Sequence, residues 1–320
     1  MNFEKICKMS QKTLKERVAR ELAQTHDVVI SEDGFVYADG KFPVLLVAHM
    51  DTVHKKLPDV ICYKSQMNII SSPNGIGGDD RCGIYMILEI IKKYNCSVLF
   101  CEDEEIGAVG AQKFIKSKVS KDLKFNYIIE FDRRGKNDAV FYSCANNDFE
   151  KFITKEFFKK AYGSFSDISV IAPALGVAAV NLSCGYYEAH TVKEYVVRSE
   201  MERVIKEACK LLERTTDKDV FKYVAAKSYY GGYYGGYYGG WEEDDYDDCD
   251  RGSGYDYNYG YGYGRQKYYM IEFVDANGKE QWDDVVANSH DEALGKFLYK
   301  HPNVCYNDIT DIMFENATWY

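Results

Sequence analysis

The sequence predicts an α/β protein: a three-layer αβα sandwich with a mostly parallel central sheet, followed by a small C-terminal α+β module. Three observations carry this. Four apolar runs of strand length, Val44–Ala48, Val98–Cys101, Tyr127–Phe131 and Val177–Leu182, recur along the first two thirds of the chain. Stretches with helical spacing of apolar residues lie near 81–94, 108–118, 147–161 and 199–213. Composition then changes abruptly after about residue 225 and becomes globular again near 266. Apolar strands alternating with helices bury both faces of a parallel sheet.

Taken in order, Phe3, Ile6, Leu14, Val18 and Leu22 recur at roughly helical spacing and predict an amphipathic opening helix. Asp33-Gly34 and Asp39-Gly40 are hairpin signals between short strands. The apolar runs and helical stretches follow and complete a domain expected over 1–225. Residues 226–265 hold a Tyr-Tyr-Gly-Gly repeat, the acidic stretch Glu242–Asp250 and further Tyr/Gly sequence. Without branched aliphatic residues this tract builds no core and reads as a low-complexity linker, although aromatic-polar repeats also self-associate. Beyond it, strands near 269–274, 281–287 and 308–314 with a helix near 290–300 predict a ββαβ module over 266–320. That module carries no recognisable chemistry, and docking of a protein partner is the expectation for it.

Composition excludes several classes. Nearly half the residues are hydrophobic, which fits a globular chain. A formal charge of −10 without a Lys/Arg cluster argues against nucleic acid as a partner. No apolar run approaches a membrane span, so no membrane association is expected. The opening Met1-Asn2-Phe3-Glu4-Lys5 lacks the apolar core of a signal peptide. The ten cysteines show no Cys-x-x-Cys pair and no framework, which points to a reducing, cytoplasmic setting.

The strand-like runs end in groups with ligand chemistry. Val44–Ala48 leads into His49-Met50-Asp51, Val98–Cys101 into Glu102-Asp103-Glu104-Glu105, and Tyr127–Phe131 into Asp132. Val177–Leu182 precedes His190 by a short loop, and Asp79-Asp80 follows the Gly-rich turn Gly75-Ile76-Gly77-Gly78. Open α/β sheets bind ligands at the carboxyl ends of their strands, so the pattern gathers these groups around one crevice. Singly each signal is weak: an Asp before a helix is usually a cap, and an acidic run is usually a solvated face. Five such groups in this order seldom coincide.

The segments Val47–Val53, Gly77–Gly83, Glu102–Gly107, Phe131-Asp132 and Tyr187–Thr191 resemble those of the co-catalytic di-zinc exopeptidases. That clan takes in the zinc aminopeptidases, the bacterial tripeptidases and the carboxypeptidase-G-type enzymes; the resemblance covers roughly 1–215. It implies that Asp79 bridges two metals, with His49 and Asp132 completing one site and His190 and Glu105 the other. It also implies that Asp51 orients the His49 ring, that Glu104 is the general base, and that the Asp79–Asp80 peptide bond is cis. The cofactor implied is zinc, two ions per chain, with manganese or cobalt as substitutes. The activity implied is aminopeptidase-like hydrolysis of short peptides through water activated between the metals. Deacylation of acylated amino acids is the alternative, and a non-catalytic scaffold a further one.

The charges support the same chemistry independently. Asp79, Glu104, Glu105 and Asp132 place up to four negative charges in one crevice, which needs compensation. Two divalent cations supply it, and mixed His/carboxylate ligation suits zinc. Only about 30 residues separate His49 from Asp79 and about 58 separate Asp132 from His190. Neither gap accommodates the inserted domain or lid of larger relatives, so a single compact catalytic domain is expected. Arg81, Arg133 and Arg134 adjoin ligand positions and are candidates for a substrate carboxylate, or ordinary structural arginines.

Overall fold

The computed structural model describes residues 1–163 and 165–226. Beyond them it describes 267–275, 278–287 and 309–315, together with 293, 297, 300 and 301. Nearly all of the Tyr/Gly tract expected to be a linker therefore lies outside the described residues. The chain divides into two compact units, Met1–Gly231 and Gly232–Tyr320.

The first unit opens with two helices, α1 (Phe3–Cys7) and α2 (Gln11–Leu22), where one was expected. The break has a local cause. Ser10 is extended, and its hydroxyl accepts the Thr13 N–H, capping a new helix just after Cys7. Strands β1 (Val28–Glu32), β2 (Phe35–Asp39) and β3 (Phe42–His49) follow, then β4 (Cys62–Lys64) and β5 (Ile69–Ser71). Next come α3 (Gly78–Ile90), β6 (Cys96–Cys101), α4 (Val109–Lys116), β7 (Tyr127–Arg133) and β8 (Asp138–Val140). After α5 (Asn147–Thr154) the chain forms β9 (Lys159–Ala161), α6 (Asp167–Leu175) and β10 (Ala179–Ser183). The unit closes with β11 (Tyr186–Tyr187), β12 (Tyr195–Val197) and α7 (Arg198–Glu213).

Eight strands form one sheet in the order β1-β2-β6-β3-β7-β10-β8-β9. Its four central strands, β6, β3, β7 and β10, are mutually parallel, while β1, β2 and β8 join antiparallel. Side chains of β3 alternate between two cores: Val44, Leu46 and Ala48 pack with α2, α3 and α7, whereas Leu45 and Val47 pack with α4 and α6. That alternation is the period-2 geometry of a strand buried on both faces, and it produces the three layers. A second sheet, β11-β12-β5-β4, has no counterpart in the sequence expectations.

Two helical expectations change. The helix near 147–161 ends at Thr154, and Lys159–Ala161 is an edge strand instead. Phe157 and Phe158 prolong the apolar pattern through the turn and conceal it. Helix α6 was not expected, because Pro173 interrupts its apolar run. The Ser166 capping box starts it, and Pro173 lies near its end, where one lost hydrogen bond costs little.

In the second unit, β13 (Lys267–Val274) pairs antiparallel with β14 (Glu280–Ala287) and with β15 (Ile309–Glu315). Of the helix expected near 290–300, residues 293, 297 and 300 are described, and they are helical. Tyr269, Ile271, Phe273, Val285, Ala293 and Phe297 form its small core. No helix among the described residues is long and apolar enough to cross a membrane.

Candidate metal centre

Parallel strands deliver the functional groups to one edge of the sheet. His49 is the last residue of β3, Asp132 lies near the end of β7, and Glu104 and Glu105 follow β6 by three and four residues. Asp79 comes from the non-helical first residues of α3, and His190 from the loop between β11 and β12.

Asp79 stands at the centre of the group. Its Oδ1 lies 3.1 Å from His49 Nε2, and its Oδ2 lies 3.2 Å from His190 Nε2. Asp132 Oδ1 is 3.6 Å from His49 Nε2, and Glu105 Oε1 is 3.2 Å from His190 Nε2. The structure thus brings all five expected ligand positions together, in two sets that share Asp79. Ligand atoms of His49, Asp79 and Glu105 lie within 4.8 Å of one another, as do those of His49, Asp80 and Asp132. The His190 side chain is 55% exposed while that of His49 is 1% exposed, so the centre opens towards solvent on the His190 side.

The two adjacent aspartates part company at a cis peptide bond, as the resemblance implies. Asp79 turns to the histidines. Asp80 turns inward, where its carboxylate accepts the Gly83 N–H at 2.8 Å and the His49 N–H at 3.3 Å. It therefore caps the helical part of α3 and ties it to the end of β3. Gly83 is needed for close packing: a Cβ there would lie 2.0 Å from the Phe131 carbonyl oxygen.

Asp51 accepts three contacts. Its Oδ1 lies 3.0 Å from His49 Nδ1 and accepts the Glu104 N–H at 3.0 Å; its Oδ2 accepts the Glu105 N–H at 3.0 Å. A proton on His49 Nδ1 leaves the Nε2 lone pair facing Asp79 and Asp132, the tautomer a metal ligand needs. Asp132 is held by Asn181, whose Oδ1 accepts its N–H at 2.9 Å, and by Tyr186, whose hydroxyl donates to its carbonyl at 3.1 Å.

Electrostatics reflect the crowding of these groups. Burial pushes Glu104 up to about 8, with the charges of Asp132, Glu105 and Asp79 adding to it. Burial and the nearby Asp79 charge push Asp132 up to about 7. Contacts with Asp79 and Glu105 push His190 up to about 10. Burial opposes charge on His49, yet hydrogen bonds with Asp132, Asp51 and Asp79 raise it well above an ordinary histidine. The crowded carboxylates thus compete with one another and with the histidines for positive charge. Glu105 Oε1 is buried without a well-formed hydrogen bond. Imidazoles beside crowded carboxylates are the donor set for a divalent metal such as zinc.

Several participants lie outside the sequence expectations. Glu194, fully buried, accepts the Asp79 N–H. Glu130 and Asp167, both fully buried, form an acidic layer beneath the centre; Ser166 donates to Glu130, and burial pushes Asp167 up to about 7. A glutamate inside the apolar run Tyr127–Phe131 was the visible signal of that layer. Of the candidate arginines, Arg81 is 1% exposed and closed to substrate, and Arg133 pairs with Asp138 at 3.4 Å. Arg134 is exposed.

Residues 36–175 match the family model described as Peptidase family M28. No curated protein sequence matches the chain. Among solved structures, an aminopeptidase from the archaeon Desulfurococcus kamchatkensis superposes with a TM-score of 0.54 at 15% identity, covering 68% of this chain and 95% of its own. Aminopeptidase PepT from Bacillus cereus gives 0.52 at 15% identity, covering 66% and 96% respectively. A tripeptidase from Staphylococcus aureus gives 0.52 at 13% identity, also covering 66% and 96%. At these identities the structures establish a shared fold. Residues 36–175 thus match a metallopeptidase family model over somewhat less than half of the chain, and the fold is shared with the aminopeptidase and tripeptidase structures.

Proposed function

We propose that the chain is a zinc-dependent metalloexopeptidase that hydrolyses short peptides from the amino end. In this reading His49, Asp132 and Asp79 hold one zinc ion, and His190, Glu105 and Asp79 hold a second. The observation that carries it is the division of the Asp79 carboxylate, one oxygen 3.1 Å from His49 and the other 3.2 Å from His190. Bound zinc supplies Lewis acidity, which polarises the scissile carbonyl and makes water acidic near neutral pH. Glu104 takes the water proton on its carboxylate and returns it to the departing amine nitrogen. Asp51 keeps His49 Nε2 directed at the centre and fixes the backbone that carries Glu104 and Glu105. A cytoplasmic location, a catalytic unit ending near residue 225 and a partner-docking role for the C-terminal module belong to the same proposal.

The test is a hydrolysis screen of dipeptides, tripeptides and acylated amino acids, with zinc supplied and with zinc chelated. Zinc-dependent release of amino-terminal residues is expected. Turnover of acylated amino acids alone would make the chain a deacylase, and no turnover by zinc-loaded protein would leave a scaffold.

A further inference from the structure

We infer that Glu194 is a positioning residue for Asp79, that His54 locks it in place, and that the pair sets how tightly the centre holds zinc. This inference rests on the proposed metal-binding reading and deepens it.

Glu194 is fully buried just before β12, four residues after His190. Three donors converge on its two oxygens. Oε1 accepts the Asp79 N–H at 2.9 Å, Oε2 accepts the Gly77 N–H at 2.8 Å, and His54 Nε2 lies 2.6 Å from the same Oε2. A buried carboxylate is costly unless its acceptor sites are filled, and here the turn that aims Asp79 fills two of them.

The turn itself is packed against this support. A Cβ at Gly78 would lie 2.8 Å from Val196 Cγ2 and 3.3 Å from Glu194 Oε1, so the backbone rests on β12. His54 occupies the space beside the preceding turn, where a Cβ at Gly75 would lie 2.2 Å from its Cε1. The Glu194 N–H in turn donates to the Thr191 carbonyl at 3.2 Å, inside the loop that carries His190. Glu194 thus ties the His190 loop to the Asp79 turn, and the 3.1 and 3.2 Å approaches of Asp79 to its two histidines depend on that register. Glu194 meets Asp79 at its backbone N–H and His54 meets Glu194, so their action on the centre passes through Asp79.

Glutamine at 194 keeps the shape but carries an NH₂ group, which must face a backbone N–H or His54, donor against donor. Partners that orient metal ligands typically contribute about 10–100-fold in metal affinity. The experiment is a chelator-competition titration of zinc against wild type, Glu194→Gln, His54→Gln and the double variant, with circular dichroism to show folding and kcat and KM measured alongside. Glu194→Gln should stay folded and lose about 10–100-fold in zinc affinity, with kcat falling more than KM rises, and excess zinc should restore part of the activity. His54→Gln should lose less, and the double variant should be no worse than Glu194→Gln, because His54 acts through it. Folded Glu194→Gln with wild-type zinc affinity overturns the inference, even if its melting temperature falls. Should Glu194→Gln not fold, His54→Gln decides: unchanged zinc affinity overturns the inference, and weakened affinity in a folded protein supports it. Failure of the metal-binding reading looks different, because wild type would then bind no zinc.

Discussion

The carboxylate of Asp51 accepts the backbone N–H of Glu104 at 3.0 Å, through the same oxygen that lies 3.0 Å from His49 Nδ1. One side chain therefore fixes both the ring proposed as a metal ligand and the loop that carries the proposed base. The loop is also held from below: Gln11 Nε2 on α2 donates to Asp103 at 2.9 Å, and Lys15 bonds Glu102. Position within the centre is set by contacts from several elements, which is how a site keeps ångström-level geometry.

Asp51→Ala should accordingly damage metal binding and turnover together. The loss expected is about 10–100-fold in zinc affinity, the usual cost of removing a partner that orients a histidine ligand. Activity should fall at least as far, since the Glu104 backbone loses its acceptor as well. Zinc titration and steady-state kinetics on the folded variant check this. Unchanged zinc affinity would separate Asp51 from His49.

Zinc-reconstituted protein should hold about two divalent ions per chain, by the ligand sets sharing Asp79. Elemental analysis after gel filtration measures the stoichiometry, and His49→Ala should reduce it. A wild-type value of zero, unaltered by His49→Ala, would sink the site assignment.

Metal-free protein should lose stability as pH rises from 6 to 8. Burial raises Glu104 to about 8 and both Asp132 and Asp167 to about 7, above their unfolded values, so the folded chain binds more protons than the unfolded one. Stability from such groups is complete below the unfolded pKa and is lost as pH rises through the folded one. His190, raised to about 10 by Asp79 and Glu105, has the same sign over this range. Asp79, held low by its histidines against the effect of burial, has the opposite sign but acts only in more acidic solution. Zinc should therefore raise the melting temperature more at pH 8 than at pH 6. An equal rise at both would contradict the proposed electrostatics.

What was legible in the sequence follows from chemistry at strand ends. His49 and Asp132 stand directly after apolar runs and the Glu104-Glu105 pair a few residues after one, so their position in the fold could be read from local pattern. Asp79 announced itself by the glycines around it. Glu194 and His54 could not be read this way: they are 140 residues apart, and nothing local distinguishes Glu194 from exposed Glu188. Pairing between distant positions is set by tertiary packing, which periodicity does not encode. The same limit hid the sheet of β4, β5, β11 and β12, whose strands have only two or three residues each.

Removal of residues 226–320 should leave hydrolysis of small substrates largely intact. Every proposed catalytic and ligand residue precedes residue 191, and Glu194 lies close behind. The truncated chain keeps both bridges that close the first unit, Cys144 with Ala225 and Val177 with Lys222. Comparison of kcat/KM on a short peptide for full-length and truncated protein gives the answer. A folded, zinc-loaded truncation without activity would show that the proposed domain division is wrong.

Glu104→Gln should abolish turnover while leaving metal content and fold nearly unchanged. Glutamine keeps the shape of glutamate and still accepts a hydrogen bond from water, but it cannot take the proton. A positioned general base contributes on the order of 10²–10⁴ in rate, so the loss should fall on kcat more than on KM. Glu105→Gln should behave differently. Its Oε1 lies 3.2 Å from His190 Nε2, and replacing it weakens one proposed metal site. Zinc content should drop in that variant, and excess zinc should restore part of the activity. Asp51 accepts the backbone N–H of both residues, so neither substitution disturbs the loop itself. Activity and bound zinc together then separate base from ligand. Loss of zinc from Glu104→Gln, with both ions retained by Glu105→Gln, would exchange the two roles, and full activity in both variants would end the catalytic assignment.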